Sequence, residues 1–145
     1  MLEVLFLCTG NSCRSQMAEG FAKKLGKDLF HVHSAGLIAA GVHPRAVTVM
    51  REIGIDISSH RSKEIDEEQL RNVDIVITLC SDAEDACPWT PPEIKRLHWP
   101  IKDPVGFVGT EEQIMRDFRR ARDEIRDKIE RFIKTLRSSP PHALQ

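Results

Sequence analysis

Glu3-Val4-Leu5-Phe6-Leu7-Cys8-Thr9-Gly10-Asn11-Ser12-Cys13-Arg14-Ser15-Gln16-Met17-Ala18 decides the fold, because three kinds of residue follow one another in it. Residues 3–7 are an apolar run of strand formers, and Thr9 to Ser12 are small or polar and include a glycine, as a loop requires. Beyond Ser15, the residues Met17, Ala18, Phe21, Ala22 and Leu25 recur at helical spacing. The order is strand, loop, helix. Between Cys8 and Arg14 the chain is small or polar except at Cys13, so its backbone N–H groups can converge on one anion, aided by the dipole of the helix opening near Ser15. A cysteine at the base of such a cradle is favoured as its thiolate. Read from the residues alone, Cys8 is a nucleophile toward a bound tetrahedral oxyanion. Arg14 offers a planar fork to two of the oxygens, Ser15 donates a hydrogen bond to the sulfur, and Asn11 holds the loop by bonding across it. The oxyanion-binding set is Thr9, Gly10, Asn11, Ser12, Cys13, Arg14 and Ser15.

Outward from the loop, Phe30 to Ala35 predicts a second strand, Gly36 to Gly41 a loop, and His43 to Ile53 a helix closed by Gly54. A short acidic helix is expected from Asp66 to Arg71. Asp74-Ile75-Val76-Ile77-Thr78-Leu79 then reads as a strand buried on both faces, since its apolar residues do not alternate, and Cys80 ends it. Residues 88–92 predict a loop, and Ile94 to Ile101 hold a fourth strand that stops before Lys102-Asp103-Pro104. Thr110 and Gln113 form a capping box for a final helix, whose apolar stripe runs through Ile114, Phe118, Ala121, Ile125, Ile129, Phe132, Ile133 and Leu136. The expectation is a single α/β domain over residues 1–137, a four-stranded parallel sheet with helices on both faces, followed by a flexible tail over 138–145. Ligands of such sheets bind beyond the carboxyl ends of the strands, where Cys8, Cys80 and Asp103 all fall.

The 145 residues suit one core, with roughly two thirds of the unfolded surface buried. With 21 Lys and Arg against 22 Asp and Glu, the formal charge of −1 supplies no overall field for nucleic acid or an anionic membrane, so neither partner is expected. Any anion site is local. The start of the chain has no basic flank and too short an apolar run for a secretion signal, so a cytoplasmic protein with reduced thiols is expected. Four cysteines, Cys8, Cys13, Cys80 and Cys87, then suggest chemistry. Neither Cys8/Cys13 nor Cys80/Cys87 has the close pairing of a zinc site, and no metal or other cofactor is expected.

The loop Cys8 to Ser15, the segment Ser34-Ala35-Gly36 and the late Asp103-Pro104 resemble the low-molecular-weight protein tyrosine phosphatases over nearly the whole chain. Within that fold, the run from Cys8 to Glu19, together with Thr78-Leu79-Cys80, Cys87-Pro88 and His98-Trp99 before Asp103-Pro104, is similar to the thioredoxin-coupled arsenate reductases. The resemblance implies that Cys8 attacks arsenate, that Asp103 gives a proton to the departing oxygen, and that Cys80 then attacks the arsenylated Cys8, expelling arsenite. Phosphate or sulfate, of the same shape, can enter the same cradle.

The resemblance further implies a second exchange, by Cys87 on Cys80, that moves the disulfide to Cys80–Cys87, the redox-active pair that thioredoxin then reduces. A helix through Ser81 to Ala86 would hold residues seven apart ~10.5 Å from each other, beyond the ~7 Å limit of a disulfide, so this segment must unwind during turnover. A monomer is expected. Two alternatives stand beside the reductase: a phosphotyrosine phosphatase, which needs Cys8, Arg14 and Asp103 and leaves Cys80 and Cys87 unused, and a redox sensor without catalysis. Against an aryl phosphate, Val105 and Gly106 follow Asp103-Pro104 where phosphatases of this fold carry Tyr, and the chain has no Tyr.

Cys13 reads as packing, His98-Trp99 as setting the Asp103 loop, and His31 and His33 as strand residues. Some of the reductases hold potassium with the counterparts of Asn11, Glu19 and Ser34 and an acid at the position of Lys63. The lysine departs from that pattern, so no potassium requirement is expected and Asn11, Glu19 and Ser34 should bond to one another.

Overall fold

The computed structural model describes residues 1–87 and 90–138. Its elements are β1 (Leu2–Cys8), α1 (Arg14–Leu25), β2 (Phe30–Gly36), α2 (Pro44–Arg51), α3 (Glu67–Asn72), β3 (Ile75–Thr78), α4 (Ser81–Ala86), β4 (Lys95–His98) and α5 (Glu111–Ser138). The strands form one parallel sheet in the order β2-β1-β3-β4. Every residue of β1 from Val4 to Cys8 and all of β3 are buried, on both faces of the pleat, which is the burial of a sheet covered by helices on each side.

The apolar stripe of α5 buries Phe118, Ala121, Ile125, Ile129, Phe132 and Ile133, and α5 packs on α1 and α2. Phe132 stacks on Phe30 with ring centroids 5.7 Å apart and receives the edge of Trp99 at 5.5 Å, tying the C-terminal helix to both ends of the sheet. The capping box closes as expected: Gln113 N donates to Thr110 Oγ1 at 3.1 Å and Thr110 N to Gln113 Oε1 at 3.0 Å. One buried position of α5 is polar. Arg122 reaches Val49 O and Glu52 Oε1, both at 2.9 Å, pinning α2 to α5.

Several boundaries differ from the sequence reading. α2 ends at Arg51, and the chain turns through Gly54 at a φ of 81°. β4 stops at His98 because Pro100 has no N–H to give the ladder, although Ile101 N still donates to Leu79 O at 3.0 Å. Ser138 is the last residue of α5, and the rest of the expected tail, like residues 88 and 89 of the expected loop, lies outside the described residues. No helix among the described residues is long and apolar enough to cross a membrane.

Candidate active site

β1 and α1 hold the cysteine loop between them, and the segment after β2 turns the loop's peptides outward. The carbonyls of Cys8, Thr9, Gly10 and Ser12 accept from the amides of Leu37 (3.3 Å), Ile38 (3.0 Å), Ala40 (2.9 Å) and His43 (2.8 Å). Asn11 O accepts from Ser62 Oγ at 2.6 Å, and Cys13 O from Met17 N at 2.9 Å. A peptide whose carbonyl is tied outward presents its N–H to the other side, so the loop amides face the concave interior, as an anion cradle requires.

Asn11 is the one described non-glycine residue with positive φ, at 47°, and it is fully buried. Its Oδ1 accepts from Lys63 N at 2.8 Å and Gln16 Nε2 at 3.0 Å, which fixes the amide orientation, and Nδ2 then donates to Ser15 Oγ at 2.8 Å and Ser34 Oγ at 3.0 Å. With its oxygen already accepting from Asn11, the Ser15 hydroxyl has its own proton free for Cys8 Sγ, 2.8 Å away. Ser15 therefore donates to the sulfur. The strained conformation at Asn11 is held by five groups around it, an arrangement typical of a preorganised site.

Behind the loop, Ser34 Oγ donates to Glu19 Oε1 at 2.9 Å, while Glu19 Oε2 pairs with His60 Nδ1 at 2.9 Å and Lys23 Nζ at 3.1 Å. Asn11, Ser34 and Glu19 thus form the expected chain. The donor set does not suit a potassium ion: Glu19 is already matched by a histidine and a lysine, and at position 63 the backbone N–H faces Asn11 with a cationic side chain beyond. Burial opposes charge on Glu19, yet the hydrogen bond from His60, the charges of His60 and Lys23, and the Ser34 hydroxyl hold its pKa at about 2. A carboxylate depressed in the folded state contributes stability that is complete above its unfolded value and is lost as pH falls through the folded one. Chemical denaturation between pH about 5 and about 2 is therefore expected to cost the parent protein up to roughly 3 kcal/mol more than Glu19→Gln. Parallel curves for the two proteins would remove this role from Glu19.

Arg14 is buried, and its guanidinium donates to Ile101 O at 2.9 Å and pairs with Asp103 Oδ2 at 3.3 Å. This draws the Asp103 segment over the loop. The Asp103 side chain is 44% exposed, open to protons from water, and a cleft of about 420 Å³ lies between Thr9, Arg14, Cys80, Ile101 and Asp103. Cys8 is 2% exposed at the end of β1.

The register Leu7↔Thr78 makes β1 and β3 neighbours and sets Cys80 beside Thr9, one step beyond Cys8. Thr9 Oγ1 is 3.3 Å from Cys80 Sγ, which also accepts from Ala83 N at 3.3 Å and so caps α4. Cys87 sits at the other end of α4, half-buried. All four cysteines are free thiols. Burial pushes the Cys13 thiol far up, with Asp103 and Cys8 adding to the effect, so Cys13 packs as a neutral group in the core.

His98 departs from the sequence reading. Its Nδ1 lies 2.8 Å from Thr78 Oγ1, the hydroxyl that donates to Glu84 on the helix between Cys80 and Cys87. His31 and His33 are strand residues as expected, both meeting Glu3 on β1 at 2.6 and 3.1 Å. Sequence reasoning missed Gln16, Ser62, His60 and the Ile101 carbonyl. Each acts across a long sequence separation and carries no local motif; only the short spacing of Gln16 from Asn11 was visible.

A family model for low molecular weight phosphotyrosine protein phosphatase matches residues 3–141. The chain is 57% identical over 132 residues to the arsenate reductase of Bacillus licheniformis, covering 91% of this chain and 95% of that one. Among solved structures, an arsenate reductase in the phosphate binding state is 38% identical with a TM-score of 0.76, covering 94% of this chain and 99% of that chain. The YwlE arginine phosphatase of Geobacillus stearothermophilus is 30% identical with a TM-score of 0.81, covering 95% and 94%. The family model spans nearly the whole chain and the fold is shared with these structures, so the chain belongs to the low-molecular-weight phosphotyrosine protein phosphatase family.

Proposed function

We propose that the chain reduces arsenate to arsenite through Cys8, Cys80 and Cys87. The observation that carries this reading is the position of Cys80: its sulfur is hydrogen-bonded to Thr9 inside the cleft, beside the nucleophile loop, where a phosphatase needs no thiol. The relatives named arsenate reductase support it.

In the proposed cycle the Cys8 thiolate, held by the Ser15 hydroxyl, attacks As(V) in the cradle of loop amides while Arg14 turns its fork to the oxygens. An oxygen leaves as water with a proton from Asp103. The Cys80 thiolate then attacks Cys8 Sγ; the S–As bond pair stays with arsenic, which departs as arsenite, and two sulfurs have supplied the two electrons. Cys87 attacks Cys80, Cys8 leaves as thiolate, and the Cys80–Cys87 disulfide is handed to an external dithiol of the thioredoxin kind. We place this cycle in the cytoplasm and in a monomer.

The direct test is NADPH consumption in the presence of thioredoxin, thioredoxin reductase and arsenate. Sustained consumption is expected from the parent protein. Its absence, with brisk hydrolysis of an aryl phosphate, would assign the loop to phosphatase chemistry. That second reading rests on the Arg14–Asp103 pair over the loop, which serves a phosphate ester as well as arsenate. Inertness toward both substrates would leave a sensor.

A further inference from the structure

The helix between the two relay cysteines has few reasons to be a helix. α4 has six residues, well below the length at which a helix is stable alone, and no basic residue in its last turn. What holds it is tertiary: the buried Ala83, the Cys80 sulfur that caps its amides, and Glu84.

Glu84 meets Thr78 and Arg96 from the neighbouring strands, and Thr78 in turn meets His98. Thr78 Oγ1 is 2.6 Å from Glu84 Oε2 and 2.8 Å from His98 Nδ1. A hydroxyl has one proton and a carboxylate only accepts, so Thr78 donates to Glu84 and receives from His98, whose Nδ1 carries its proton. Arg96 Nη2 donates to Glu84 O at 3.4 Å and stands 3.7 Å from Oε2. Thr78 and His98 are paired across β3 and β4, so the clasp is anchored on the sheet itself.

On the proposed relay, on which this inference rests, the two exchanges make opposite demands on α4. Attack by Cys80 on Cys8 needs the helix wound, with Cys80 held at Thr9; attack by Cys87 on Cys80 needs it unwound. The first exchange itself consumes the sulfur cap, because Cys80 Sγ becomes half of a disulfide. Among the described residues, the Glu84 clasp, the burial of Ala83 and the helix's own backbone hydrogen bonds then oppose opening. We infer that Glu84 is a positioning residue that keeps the Cys80–Cys87 helix closed through Thr78, His98 and Arg96 until Cys8 has been attacked, and so sets the order of the two exchanges. Burial pushes the Cys87 thiol up, with Arg96 opposing the shift and Glu84 adding to it.

The test uses the reduced, full-length protein without arsenate, so it reads α4 independently of whether arsenate is the substrate. Amide hydrogen exchange at residues 81–87 is measured in the parent, Glu84→Ala, Thr78→Val and Thr78→Ser. The first two variants are expected to exchange about fivefold faster there, the factor for one lost hydrogen bond; Thr78→Ser, which keeps the hydroxyl, should match the parent. Alanine is the better helix former, so propensity works against the expected result at position 84. Under oxidised glutathione, the Cys80–Cys87 disulfide should form faster by a similar factor in the same two variants, read by thiol alkylation and peptide mass. Exchange in β1 and α5 controls for folding, and if Thr78→Val loosens these too, Glu84→Ala decides. Parent-like exchange and oxidation in Glu84→Ala would overturn the inference, whereas absence of arsenate turnover in a parent with a normal clasp would overturn the proposed function instead.

Discussion

Cys80→Ser is expected to stop thioredoxin-coupled arsenate turnover, by a factor on the order of 10³ or more, while aryl phosphate hydrolysis stays within about threefold of the parent. The separation follows from what Cys80 touches. Its sulfur meets Thr9 Oγ1 and Ala83 N and takes no part in the cradle, and a serine hydroxyl can keep both contacts and cap α4 at least as well. Fold, loop and Cys8 environment are retained; the second electron-supplying sulfur is lost. Cys87→Ser should behave differently. It retains the first exchange, so it is expected to release about one arsenite per protein and stop with Cys8 and Cys80 joined, by the stoichiometry of one disulfide for two electrons. Mass spectrometry of alkylated peptides and arsenite measurement check both. Sustained turnover in either variant would remove the relay.

How much of this was legible in the sequence depends on the range over which each residue acts. The cysteine loop was readable because its instructions are local: an apolar strand, small loop residues and a helical stripe within the first 25 residues, and the loop lies where that order placed it. The Thr110/Gln113 box and the stripe of α5 were readable for the same reason. The adjacency of β1 and β3, which the proposed relay needs, was not readable, since strand order is a tertiary property that no local pattern encodes. The partner of His98 was misread because the Thr78–Glu84–His98 contact joins three elements, and proximity to Asp103 along the chain said nothing about it. The same reason hid His60, Gln16 and the Ile101 carbonyl that steadies Arg14. Arg122, a charge inside an apolar stripe, reads as surface until Val49 and Glu52 are seen facing it.

Gly36→Ala is expected to lower kcat/KM for arsenate and for aryl phosphate together, by about 10²- to 10³-fold, the scale of losing oxyanion stabilisation and alignment. Gly36 pairs with Cys8 in the parallel register of β1 and β2, and its amide donates to Lys63 O at 2.8 Å. A Cβ added there would lie 2.5 Å from Asn11 N, 2.7 Å from Ile38 O and 2.9 Å from the Gly10 carbonyl carbon, all main-chain atoms that cannot step aside as a flexible side chain would. Asn11 is held in its left-handed conformation by bonds to Ser15, Ser34 and Lys63, and Ile38 anchors the Thr9 carbonyl that turns an amide inward. Making room therefore moves the cradle or the strand that braces it. Stability should also fall, by about 1–3 kcal/mol for an overpacked site, which denaturant unfolding measures separately from kinetics at low temperature where both proteins are folded. On the proposed cycle Cys80→Ser pulls the two activities apart and Gly36→Ala lowers them in step, because one would remove an electron source and the other would deform the anion site that both reactions share. A Gly36→Ala protein with parent kinetics on the phosphate ester would show that the loop can shift by ångströms without loss, and would dismiss the close approach of β2 as the element that shapes the cradle.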